Sequence, residues 1–146
     1  MTFGNKQNLN KLVVTIIVFS LLLVSCGSGA VNQKQRILEV ELVQPIIPIN
    51  QGHIFDLQLK LGNPGLYNVH VTQITLPAEV MNAGRYVGST PPLTLNKNES
   101  GEGLIEMDLT IAPTGLETLV FRFEANHTGT LKGQGEVSTD DKVYPF

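Results

Sequence analysis

Hydrophobic and polar residues alternate with a period of two along most of the chain beyond residue 36. Leu38, Val40 and Leu42 alternate with Glu39 and Glu41, and Phe55, Leu57, Leu59 and Leu61 alternate with Asp56, Gln58 and Lys60. Ile105, Met107, Leu109 and Ile111 repeat the pattern, as do Leu119, Phe121, Phe123 and Ala125. A pleated strand sends successive side chains to opposite faces, so this spacing predicts half-buried strands over 36–42, 53–61, 103–111 and 118–125. In 66–76 the phase changes. Tyr67, Val69 and Val71 occupy odd positions, whereas Ile74 and Leu76 occupy even ones. A bulge at Thr72 or Gln73 restores the facing. A strand over 130–138 points Leu131 and Val137 inward, and Thr94-Leu95 begins a short one.

Breakers separate these runs. Pro45 and Pro48 confine Ile46, Ile47 and Ile49 to an edge or to a kinked first strand whose isoleucines enter the core. Gly62-Asn63-Pro64-Gly65 predicts a turn in which Asn and Gly adopt positive φ. Asn96 to Gly101, Pro113-Thr114-Gly115 and Asn126-His127-Thr128-Gly129 predict further turns. Pro77 to Pro92 is the longest stretch without a period, read as a loop with one helical turn after Pro77, ended by Gly84. About seven short strands, with a turn signal every ten residues or so, predict an all-β fold. Its form is an immunoglobulin-like or fibronectin-like antiparallel β-sandwich over 36–146.

The front of the chain has a different pattern. Met1 to Lys11 carries Lys6 and Lys11 and no acid, and Leu12 to Val24 is apolar apart from Thr15 and Ser20. A membrane-spanning helix needs about 20 apolar residues, so this shorter run fits the core of a secretory signal. It ends in Leu23-Val24-Ser25-Cys26, and Cys26 is the one cysteine in the sequence. This ending resembles the lipobox of bacterial lipoproteins. The resemblance implies cleavage before Cys26, a diacylglyceryl thioether on its sulfur and an acyl group on the new amino terminus. Two or more acyl chains anchor a protein stably, whereas one does so marginally. The expected organisation is therefore a signal peptide over 1–25, a lipidated Cys26 and tether over 26–35, and a sandwich over 36–146. Gly27 is not the Asp that, in two-membrane bacteria, retains lipoproteins at the inner membrane. The expected address is the cell envelope, facing away from the cytoplasm, on the outer membrane where a second membrane exists.

The stretch Val43…Pro48…Gly52…Phe55-Asp56-Leu57-Gln58-Leu59-Lys60-Leu61-Gly62-Asn63-Pro64-Gly65 resembles the cadence of bacterial surface sandwich domains, such as the cell-adhesion-related domain found in bacteria. Leu76-Pro77 and Ile111-Ala112-Pro113-Thr114-Gly115 before Leu119-Val120-Phe121 fit the same cadence. The resemblance implies an adhesion module, spacer or accessory domain with no catalytic motif to carry over.

Charge narrows the partners. Removal of Lys6 and Lys11 with the signal leaves 8 basic against 13 acidic residues, a net −5. Nucleic acid requires clustered Lys and Arg, so it is excluded as a partner. The same balance opposes an electrostatic grip on anionic lipid and leaves membrane contact to the anchor. With Cys26 acylated no disulfide is available, and the absence of Trp leaves core volume to Leu, Ile, Val and Phe.

Candidate chemistry is sparse. There is no Gly-x-Ser-x-Gly elbow. Glu106 with Asp108, and Glu39 with Glu41, place paired carboxylates on one strand face about 7 Å apart, which reads as a solvated outer face. His53, His70 and His127 stand at a strand start, an outer face and a turn, without ligand spacing. Met81 and Met107 with a histidine would suit copper, and Asp140-Asp141 with Glu136 would suit calcium, but Met107 is phased inward and the acidic pair reads as a frayed tail. Asn98-Glu99-Ser100 and Asn126-His127-Thr128 read as turn sequence. No cofactor is expected beyond the covalent lipid on Cys26. The expected activity is non-enzymatic, an interaction or accessory domain that docks an envelope protein; the alternative is an extracytoplasmic carrier of a small ligand or copper. The candidate partner-binding residues are Met81, Arg85 and Tyr86, on the aperiodic 77–92 stretch, since such types supply much of the energy at interfaces. Met81 and Tyr86 fit equally as plugs for one end of the core.

Overall fold

The computed structural model describes residues 36–146; the expected signal peptide, Cys26 and tether lie outside the described residues. In chain order the elements are β1 (Glu39–Leu42), β2 (Ile46–Ile49), β3 (Ile54–Gly62), β4 (Val69–Leu76), α1 (Ala78–Ala83), β5 (Gly84–Thr90), β6 (Asn96–Lys97), β7 (Gly103–Ile111), β8 (Leu116–Ala125), β9 (Gly129–Lys132), β10 (Glu136–Thr139) and β11 (Val143–Pro145). They form an antiparallel all-β sandwich. One sheet has the order β1-β3-β8-β5 and the other β11-β10-β4-β7-β6, while β2 and β9 pair as a separate ribbon.

The period-two positions make the core. Leu57, Leu59 and Leu61 of β3 and Leu119, Phe121 and Phe123 of β8 are buried, with Val69, Val71, Ile74 and Leu76 of β4 and Ile105 and Ile111 of β7. Register places Leu57 opposite Phe121 and Leu59 opposite Leu119, and such cross-strand pairs are the unit of sheet stabilisation. Phe55 stacks on Phe123 with ring centroids 5.4 Å apart. Each of these side chains contributes about 1.5–3 kcal/mol by leaving water. The outward residues pair across the same register, as in Arg122 with Asp56 at 3.5 Å.

The expected bulge in β4 lies at Thr72. Register shifts between Val71 and Gln73 against β7, and between Ser138 and Thr139 against β10. Buried positions accordingly pass from Val69 and Val71 to Ile74 and Leu76.

Five local expectations are corrected. The stretch 77–92 is not a loop: its helical turn after Pro77 is α1, and β5 follows and pairs with β8. Two features hid β5. Its register breaks between Tyr86 and Gly88, and it begins at a glycine chosen for space. A Cβ on Gly84 would stand 2.7 Å from the Glu124 carbonyl oxygen and 2.9 Å from the Phe55 ring. Residues 130–138 are two strands, because β9 joins β2 and β10 joins β4. The acidic pair Asp140-Asp141 is no frayed tail; it sits between β10 and β11, which pair as a hairpin. Of the three isoleucines near Pro48, Ile47 and Ile49 are buried, but Ile46 is exposed on the β2–β9 ribbon. Finally, Asn63 and Gly65 do not adopt positive φ; among the described residues the non-glycine residue that does is Thr114, at φ 61°.

Candidate functional site

The three residues singled out in 77–92 do not converge on one surface. Met81, on α1, is half-buried against the core, and its sulfur fills the space beside Gly103. Tyr86 is also half-buried; its ring meets Phe123 edge-on at 5.6 Å and its hydroxyl donates to the Leu93 carbonyl at 2.8 Å. Arg85, its neighbour on β5, projects to the opposite face of the strand and pairs there with Glu124. Strand alternation separates the two side chains. Met81 and Tyr86 thus pack on the core, and Arg85 belongs to an exposed ion pair. Cys26 lies outside the described residues.

A polar cluster assembles instead where the chain enters the sandwich. His70, outward on β4, lies between two carboxylates. Its Nε2 is 2.7 Å from Asp108 Oδ1 on β7, and its Nδ1 is 3.0 Å from Asp140 Oδ1 at the β10–β11 turn. Arg36 donates to Asp141 at 3.0 Å, and its guanidinium stands 3.9 Å from Asp140. The hydrogen bonds that Asp108 and then Asp140 accept raise the His70 pKa above its ordinary 6.5, because both favour the imidazolium, which alone donates from both nitrogens. Both ring nitrogens are thus engaged by carboxylates of different elements, and the ring bridges β7 to the β10–β11 turn. Among the described residues, no group of three or more His, Cys, Asp or Glu could hold a metal ion. Glu106 and Asp108, the paired carboxylates of one strand face, differ in partner: Asp108 meets His70, and Glu106 lies opposite Gln73. Glu136 begins β10, opposite Thr75, while Asp140 and Asp141 follow the strand's end.

Next to this corner, one buried polar side chain joins two loops. Asn63 is 1% exposed. Its side-chain amide donates to the carbonyls of Tyr67 and Ile111, both at 2.8 Å, and its side-chain oxygen accepts from Gly65 N–H at 3.0 Å. Its backbone N–H donates to Gly115 and its carbonyl accepts from Thr114. The β3–β4 and β7–β8 loops are thereby held as one unit. The turn signal over 62–65 assigns Asn63 only backbone freedom; the Asn-Pro-Gly triplet is also a signal for side-chain bonding to the backbone two residues on, which is the Gly65 contact. The partner at Ile111, by contrast, is 48 residues away.

Comparison with known proteins finds no family model that matches the chain and no curated protein that matches it.

Proposed function

We propose that this chain is a bacterial lipoprotein, acylated at Cys26, whose β-sandwich serves as a non-enzymatic interaction or accessory domain in the cell envelope. The observation that carries the reading is the Leu23-Val24-Ser25-Cys26 sequence closing an apolar run. The all-β sandwich that follows it supports an interaction role. It offers edge strands at β1, β5, β6 and β11, and an unpaired strand edge is a ready surface for another chain. The expected site is the envelope face directed away from the cytoplasm, with the lipid as membrane anchor and an envelope protein as partner.

Two measurements test this. Radiolabelled palmitate should enter the wild-type protein and not Cys26→Ala; equal labelling of both would overturn the anchor. Cross-linking of the membrane-bound protein in cells should yield a specific envelope protein that reconstitutes with the purified chain. Failure of every recovered protein to bind on reconstitution would overturn the interaction role.

A further inference from the structure

The two loops that Asn63 joins carry apolar side chains that the core does not take up. Leu66 is 83% exposed, Leu116 64% and Tyr67 41%. Single exposed apolar residues are ordinary on any surface. These three, however, share one end of the sandwich. Leu116 lies opposite Gly62 in the β3–β8 register. Thr114 and Gly115 hydrogen-bond Asn63, and Leu66 and Tyr67 follow it within four residues. The Asn63 bonds hold both loops, so the apolar groups stand on a fixed base and lose little freedom on contact.

The chain enters at this same end. Glu39 is the register partner of Gly62, and Arg36 is held at the β10–β11 turn by Asp141. Ten peptide steps separate Arg36 from Cys26, a reach of at most about 35 Å. The far end of β3, at Ile54, is about 26 Å further away at the rise of an extended strand. Both ends of β3 fall within that reach, but the Leu66 end adjoins the point where the tether joins the sandwich, so less extension of the tether brings that end to the bilayer.

We propose that Leu66, Tyr67 and Leu116 form a second membrane contact, seated in the interfacial layer of the bilayer that holds the Cys26 lipid. The proposal rests on the lipoprotein reading. A few apolar side chains do not hold a protein to lipid from solution, but an anchor raises their local concentration enough for a weak contact to form. The contact is apolar, not electrostatic. The Glu39 carboxylate lies 3.9 Å from where a Cβ on Gly62 would stand, and Asp108, Asp140 and Asp141 face His70 and Arg36. An uncharged phosphatidylcholine surface suits it better than an anionic one.

The test uses the full-length protein, expressed with its signal, purified from membranes and reconstituted into phosphatidylcholine vesicles carrying a nitroxide-labelled lipid. Acylation occupies the native thiol, so Leu66→Cys and Ile54→Cys each supply a single site for an environment-sensitive fluorophore. The fluorophore at position 66 should shift to the blue and be quenched by the nitroxide several-fold more than at position 54. Adding Leu116→Ser should reduce that quenching several-fold without releasing the protein from vesicles. Equal quenching at 66 and 54 on acylated, vesicle-bound protein would overturn the membrane contact alone. A blue shift at 66 without lipid quenching, growing with protein density, would assign the tip to a second copy of the chain and overturn it likewise. A full-length chain whose Cys26 carries no lipid by mass spectrometry would overturn the lipoprotein reading and this proposal with it.

Discussion

The side-chain amide of Asn63 donates to the Ile111 carbonyl at 2.8 Å across 48 residues of sequence, and that bond ties the end of β3 to the end of β7. Asn63 is the one buried polar residue among those described, and its amide hydrogens and oxygen all have partners. Buried networks stabilise when every member is satisfied and are costly when one is removed.

Replacing Asn63 by Leu, which is close in size, leaves the carbonyls of Ile111 and Tyr67 without their donor. An unpaired buried polar group costs about 1–3 kcal/mol, so urea unfolding of residues 36–146 should show a loss of about 3 kcal/mol. Asn63→Asp should also destabilise near neutral pH, because a carboxylate would face two carbonyl oxygens, and part of that loss should be recovered in acid as the carboxyl becomes a donor. A neutral outcome for Asn63→Leu would mean that the loops are held by other contacts.

The His70 bridge gives a pH dependence with a defined sign. A histidine whose folded pKa is raised stabilises the fold fully below its unfolded value of about 6.5, and that contribution is lost as pH rises through the raised value. NMR titration of the imidazole should therefore place the His70 midpoint above 6.5, and Asp108→Asn should lower it, since the Asp108 hydrogen bond is the largest cause of the shift. His70→Gln should remove this component from the stability profile between the ordinary histidine value and the raised midpoint. A midpoint at or below the ordinary value would contradict the two carboxylate contacts.

Phe121 and Arg122 are neighbours on β8 with opposite fates, one fully buried and one paired with Asp56 in solvent. Phe121→Ala should cost about 3–5 kcal/mol through lost contacts and the cavity left behind. Arg122→Ala should cost at most about 1 kcal/mol, as an exposed ion pair contributes little. Chemical denaturation of the two variants measures both values, and the reverse order would contradict the strand phasing.

Arg85 and Tyr86 should likewise separate. Tyr86→Ala removes a ring that packs on Phe123 and a hydroxyl that bonds Leu93, so it should lower the melting temperature by several degrees. Tyr86→Phe, which loses only the hydrogen bond, should cost about 0.5–1.5 kcal/mol. Arg85→Ala should leave the melting temperature nearly unchanged. If Tyr86→Ala melts like wild type and abolishes capture of a partner, Tyr86 acts at a binding surface rather than in the core.

Alternation alone makes β3, β7 and β8 legible in sequence. It also shows that Phe121 faces inward and Arg122 outward, and it narrows the fault to Thr72 or Gln73. These are local properties: in a pleated chain each side chain's facing follows from its neighbours, and a change of phase requires an irregularity near where it occurs. The Leu23-Val24-Ser25-Cys26 ending is a contiguous motif too, and its reading as a lipid anchor falls outside the described residues. Partnership is not local. Gly84 and the register break beside Val87 remove the period from β5, and only its ladder with β8 makes it a strand. Residues 130–138 look like one strand until β2 takes the first half and β4 takes the second. His70 meets Asp140 across 70 residues and Arg36 meets Asp141 across 105. Period two tells each residue which way it faces but not what it faces; that is decided when the chain closes on itself, because contact depends on register between distant segments and not on spacing within one.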